Sequence, residues 1–279
     1  MKQIWAALAL LLALSAAAAA EPVSGFGMTF ESTAQAIDFG AKDIGDAGAL
    51  CDFLAQFPAL EQADMYGAAL TRGQMAQLSE RFPQVRFGWT LHFGDHTLRT
   101  DATAFSTLHS KNSRFHTSQD FDVLRYCWNL KALDLGHNAI TDVSFLEGLT
   151  ELRLLILGRN QVEDISALKN LTKLEYAELF SNKIRDISAL GGLTQLKDLN
   201  LVNNPIADFT PIYGIDGMER LWCGMNSRVT REVKNALRAE LPGCRIDSES
   251  HPTGGGWRDH PHYDVIYEVF GTGVYKPFE

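Results

Sequence analysis

The sequence predicts an α/β solenoid, a horseshoe with a curved parallel sheet, helical repeats at its N-terminal end and a C-terminal cap. Three observations carry that expectation. Between Leu130 and Asn226 one pattern is written with starts at Leu130, Leu152, Leu174, Leu196 and Met218, a period of 22. Within each copy inward and outward residues alternate over a few positions, the period of a short strand. Ahead of this block, short strand-like runs alternate with amphipathic helices, the order that gives parallel pairing through right-handed crossovers.

The first segment reads as an address. Lys2 gives a positive start, residues 4–14 are apolar, and an alanine-rich run precedes Glu21, so residues 1–20 are expected to be a cleaved secretory signal peptide. A membrane anchor is the alternative, but the run is short and alanine-rich for a span. No later run approaches membrane length, which leaves no transmembrane segment in the mature chain and predicts a secreted or cell-surface protein. Loss of Lys2 takes the net charge from −9 to −10. An acidic chain without a basic stripe argues against nucleic acid. Export permits disulfides among Cys51, Cys127, Cys223 and Cys244. Cys223, however, stands at an inward leucine position and reads as a small buried hydrophobe. A Cys223–Cys244 bridge stays open, and without a C-x-x-C spacing a zinc site is not expected.

Residues 21–125 read as degenerate strand–helix repeats continuing the same sheet. Strands are expected at residues 36–39, 60–66 and 85–93. Helices are expected at residues 46–56, capped by Asp46, and 71–82, capped by Thr71 and ended by Pro83. Residues 95–119 read as a polar, irregular loop. They include Asp95, His96, Ser106, His109 and His116, the components of a secreted hydrolase if Ser, His and an acid were in mutual reach. No G-x-S-x-G elbow accompanies them, and a connecting loop collects such residues anyway. The chain is therefore expected not to be an enzyme, with no catalytic residues, cofactor or metal.

Residues 126–226 are the regular block. After each strand comes an asparagine, at Asn138, Asn160, Asn182, Asn204 and Asn226. A buried amide carries both donors and an acceptor, so stacked copies form a ladder that satisfies the backbone where it turns. Ile140, Val162, Ile184 and Ile206 follow as core. The Asp-x-Ser pairs, such as Asp164 with Ser166, suit local turns on the convex side rather than catalysis. A period of 22 with an L-x-x-L-x-L-x-x-N core is the leucine-rich-repeat signature. The L-x-x-L-x-L-x-x-N-x-I-x-D-I-S-x-L-x-x-L-T runs resemble the internalin-like, 22-residue repeats of bacterial secreted and surface proteins. That resemblance implies a curved sheet that binds another macromolecule, usually a protein, and does not imply catalysis. The words MYGAALTRGQMAQLSERFPQVRFGWTLHFG and LRTDATAFS also resemble an N-terminal segment of some such proteins, and WRDHPHYDVIYEVFG looks like tails that close some of them.

Residues 227–279 read as a cap and aromatic tail. A helix is expected at residues 230–240, an edge strand at residues 244–246, a flexible joint at Thr253-Gly254-Gly255-Gly256, and a short helix at residues 262–271. His260, His262 and Asp264 have no recognised metal-site spacing and are read as part of a docked cap. Function is expected on the outward strand positions. Leu154, Ile156, Tyr176, Phe180 and Val202 form an exposed apolar patch, with Arg159, Glu178, Asp198 and Arg220 around it, and Trp222 completes the expected partner-binding set. An apolar patch rimmed by charge on a face that is normally polar marks a binding surface. A protein partner is favoured, and a glycan is the alternative because Asn200, Asn203 and Trp222 stand together. The tail, or a second chain, folding over the patch is the competing account. Oligomeric state is left open.

Overall fold

The computed structural model describes residues 20–108, 115–227 and 229–278. The expected signal peptide lies outside the described residues, apart from Ala20, and so do His109 and Ser110. A hairpin opens the chain, with β1 (Pro22–Gly25) antiparallel to β2 (Met28–Glu31). Phe26 and Phe30 of this hairpin meet Phe39, Phe53 and Phe57 edge-on. Then β3 (Ala36–Asp38), α1 (Ala47–Leu54), β4 (Gln62–Asp64), α2 (Arg72–Arg81) and β5 (Arg86–Gly88) alternate, and the three strands pair in parallel. The helix starts follow their caps. Asp46 accepts from the Gly48 N–H, and Thr71 with Gln74 closes a capping box on α2.

The expectation of one continuous sheet is corrected here. A two-stranded antiparallel hairpin, β6 (Thr90–Phe93) with β7 (His96–Arg99), separates β3–β4–β5 from a second, seven-stranded parallel sheet. The run expected as one strand at residues 85–93 therefore splits into β5 and β6. The physical reason is the Gly94-Asp95 pair, where Gly94 takes φ +58° and the chain reverses in two residues. The stretch expected as an irregular loop from residue 95 holds β7 and also β8 (Ala104–Ser106), the first strand of the second sheet. A short helix, α3 (Ser118–Phe121), leads into the regular block.

That block supplies β9 (Ala132–Asp134), β10 (Leu154–Ile156), β11 (Tyr176–Glu178), β12 (Asp198–Asn200) and β13 (Arg220–Trp222), all in register and parallel. Each asparagine after a strand makes at least three side-chain bonds. Asn182 Nδ2 donates to the carbonyls of Leu157 and Leu179, both at 3.0 Å, and its Oδ1 accepts from Val162 N–H at 3.0 Å. The residue just before each asparagine is left-handed, at His137, Arg159, Ser181, Asn203 and Met225. On the convex side Asp142, Asp164, Asp186 and Asp208 each cap a short 3₁₀ turn. Then α4 (Arg231–Glu240) leads to β14 (Arg245–Asp247), the edge strand, and α5 (Pro261–Thr272) follows. One apolar core runs from Ile37 to Leu241, beneath both parallel sheets. All four cysteines are free, and Cys127 and Cys223 are fully buried.

Candidate functional site

The outward positions of the strands carry large apolar groups, and a face of that kind needs a cover. The cover is the chain's own C-terminal segment. Trp257, Ile266, Val269 and Phe278 pack onto Ala104, Ala132, Leu154, Ile156, Tyr176, Phe180, Val202 and Trp222 as a second apolar cluster, separate from the core under the sheet. Trp257 lies 5.6 Å from the Tyr176 ring and 5.1 Å from the Trp222 ring, and Phe278 stacks on His262 at 4.2 Å.

Polar groups fasten the same contact. Glu178, fully buried, accepts from the Trp257 indole N–H at 2.8 Å and from the Tyr176 hydroxyl, with an Arg258 nitrogen at 3.4 Å. Asp198, also fully buried, is held by Arg220 Nε at 2.6 Å and His262 Nδ1 at 2.6 Å. Arg220 in turn donates to the Trp257 carbonyl at 2.9 Å and lies over the Trp257 ring. Burial, more than the neighbouring Glu178 charge, holds the Tyr176 phenol well above its ordinary range. Buried carboxylates are tolerated when their hydrogen bonds are made, and here strand and tail share the task, Tyr176 and Arg220 from the strands and Trp257, Arg258 and His262 from the tail.

The expectation of an open patch is therefore corrected. Leu154, Ile156, Tyr176, Glu178, Phe180, Asp198, Val202, Arg220 and Trp222 are all buried, and Arg159 alone of that set is exposed. The residues do come together on one face, but they meet the tail. The glycan alternative meets the same cover. Asn200 Nδ2 donates to the Pro252 carbonyl at 2.7 Å, and Trp222 Nε1 to the Gly254 carbonyl at 3.0 Å.

Among the described residues one part of the face is left open. A cavity of about 120 Å³ lies between α5 and the strands β9–β11. Ile156, Phe180, Ile266 and Phe270 form apolar walls, and Asp134, Glu178 and Arg258 bring ionisable groups. Leu108, 52% exposed, and Tyr267, 70% exposed, stand among its lining residues. Burial, opposed by the Gly136 N–H bond and reinforced by the Glu178 charge, pushes the Asp134 carboxyl up to about 7. His137 beside it is held below the ordinary imidazole range, first by burial and then by the Arg159 and Arg258 charges. Asp134 and His137 were not among the expected site residues. Their signal in the sequence was their place on the outward columns, Asp134 at a fifth position and His137 at an eighth.

The hydrolase arrangement does not form among the described residues. Ser106 Oγ donates to Asp134 Oδ2 at 3.1 Å rather than to a histidine. Asp95, His96 and His116 do meet, at the tip of the β6–β7 hairpin.

Residues 128–170 and 172–214 each match the family model "Leucine Rich repeats (2 copies)", together less than a third of the chain. The fold is thus a leucine-rich-repeat solenoid, a class whose members commonly bind proteins and are generally not enzymes. No curated protein matches the chain. Among solved structures, internalin C2 of Listeria monocytogenes is similar at 21% identity, over 77% of this chain and 80% of that one, with a TM-score of 0.44. A leucine-rich-repeat protein of Leptospira interrogans is similar at 22% identity, over 70% of this chain and 50% of that one, with a TM-score of 0.47. Listerial internalin F is similar at 20% identity, over 74% of this chain and 65% of that one, with a TM-score of 0.41. No helix among the described residues is long and apolar enough to cross a membrane.

Proposed function

We propose that this chain is a secreted, non-catalytic recognition module. It binds a protein partner at the cleft between α5 and the N-terminal strands of the regular block. The observation that carries the reading is the cavity itself. It is apolar-walled, has exposed Leu108 and Tyr267 among its lining residues, and has the ionisable Asp134, Glu178 and Arg258 in its lining. Partners that insert an apolar side chain into such a pocket gain most of their affinity there. Three of the residues first singled out, Ile156, Glu178 and Phe180, line this cleft. Tyr176, Asp198, Arg220 and Trp222 then act indirectly, by seating the tail that forms the opposite wall.

The test is a capture experiment with the mature chain, run beside Tyr267→Ser, Leu108→Ser and Trp257→Ala. Loss of a partner with Tyr267→Ser and Leu108→Ser, at unchanged thermal stability, supports the cleft. Stronger capture by Trp257→Ala than by the native chain moves recognition to the face beneath the tail. Capture indifferent to all three contradicts both sites. Mass spectrometry of the exported protein checks the secretory reading, which expects a mature N-terminus at or within a residue or two of Glu21.

A further inference from the structure

We propose that Asp95, His96 and His116 form a binding site for one divalent transition-metal ion of the Zn²⁺ type. The hairpin register pairs Phe93 with His96, so Gly94 and Asp95 alone make the turn and carry Asp95 and His96 to its tip. His116 arrives from the connection into α3 and is fixed through its backbone. Its N–H donates to Asn138 Oδ1 at 3.0 Å, and its carbonyl accepts from Ala139 at 2.8 Å. The asparagine ladder therefore sets where this ring sits. Asp95 Oδ1 lies 3.4 Å from His96 Nε2 and 3.7 Å from His116 Nε2. Bonds of roughly 2.0–2.2 Å in a tetrahedral site put neighbouring ligand atoms about 3.3–3.5 Å apart, so a small closure suffices.

Three further features point to a ligand. His116 is 1% exposed, yet both of its ring nitrogens, and Nε2 of His96, make no hydrogen bond among the described residues. Buried nitrogens left so are costly, and metal coordination would satisfy the two Nε2 atoms. His116 Nδ1 faces Asp120 Oδ2 at 4.0 Å, and the Thr117 N–H donates to that oxygen at 2.8 Å. A carboxylate behind a coordinating imidazole is the usual outer support of such sites. Gly94 also leaves room for the ring, because a Cβ there would stand 2.4 Å from His116 Cε1. Two imidazoles and one carboxylate suit Zn²⁺ over Ca²⁺ or Mg²⁺. The Asp95 side chain is 27% exposed, which leaves one side for water or a partner's group. Such an ion would staple the hairpin to the regular block where the two parallel sheets part.

The test uses the full mature chain, free of any histidine tag and stripped with chelator. ZnCl₂ is titrated calorimetrically, and CoCl₂ is followed by its visible d–d absorption. The expected result is one tight site, a raised melting temperature with Zn²⁺, and tetrahedral-type Co²⁺ bands. Asp95→Asn and His96→Gln, both near the surface, should each weaken binding at least about tenfold and abolish the bands. His260→Gln, which removes a member of the separate Asp198, His260 and His262 group, should change nothing. Absence of binding, binding unaffected by Asp95→Asn and His96→Gln, or binding lost with His260→Gln would each overturn the assignment.

Discussion

Trp257→Ala strikes the joint between tail and concave face. The ring is fully buried between Tyr176 and Trp222, with the Arg220 guanidinium 4.5 Å from its centroid and its N–H on Glu178. Truncating a buried tryptophan costs about 3–5 kcal/mol in lost burial and cavity. Glu178 keeps the Tyr176 hydroxyl as a donor, so the carboxylate adds little to that cost. The tail can leave the face without unfolding the repeats, so the loss falls on docking rather than on the solenoid. At 1.4 kcal/mol per factor of ten, the undocked population should rise by roughly two to three and a half orders of magnitude. Chymotrypsin cleavage within α5, at Tyr263, Tyr267 or Phe270, tracks that population when opening is fast. The circular dichroism of the repeats should stay native. A cleavage rate within about threefold of the native chain would refute the reasoning.

Three other perturbations follow from the same geometry. Asp134 has its pKa raised from 3.8 to about 7, so between those values the unfolded chain is ionised while the folded one keeps its proton. Native stability should fall as pH rises from about 4 to 7, by at most about 4 kcal/mol. Asp134→Asn should flatten that slope and be the more stable chain at pH 8, as followed by thermal melts, and an unchanged slope contradicts it. Asn182→Ala leaves the Val162 N–H without its partner, while the Leu157 and Leu179 carbonyls keep Asn160 Nδ2 and Asn204 Nδ2. With a buried unmet group costing about 1–3 kcal/mol, chemical denaturation should show a loss of that order. Arg159→Gly and Met225→Gly replace exposed left-handed residues at φ 57°. Each should gain about 0.5 kcal/mol, the relief of left-handed strain less glycine's chain entropy, and a loss of 1 kcal/mol or more would contradict it.

The repeat block was legible because its signals are periodic. A leucine, a strand and an asparagine returning every 22 residues leave one way to stack. The left-handed position before each asparagine was hidden, since His137, Arg159, Ser181, Asn203 and Met225 share no chemistry. The β6–β7 hairpin had a readable signal, Gly94-Asp95 between TLHF and HTLR. The strand–helix rhythm before it suggested instead that the sheet simply continued. The covered face was ambiguous for a physical reason. A patch of Leu154, Tyr176, Phe180 and Trp222 looks the same whether its cover is a stranger or the chain's own tail. The discriminating sign was complementarity. Glu178 and Asp198 on the strands find Arg258 and His262 in the tail, and tail aromatics match strand aromatics.

Hydrogen exchange of the α5 amides in the native chain tests the central claim most directly, namely that the concave face is occupied by the C-terminal segment. A 12-residue helix is marginal in water on its own, so its protection must come from docking. Docked, α5 should exchange at least about a thousandfold more slowly than an unstructured peptide, the equivalent of roughly 4 kcal/mol of docking. If α5 instead exchanges at the unstructured rate while β9–β13 stay protected, the concave face is open and the C-terminal segment does not cover it.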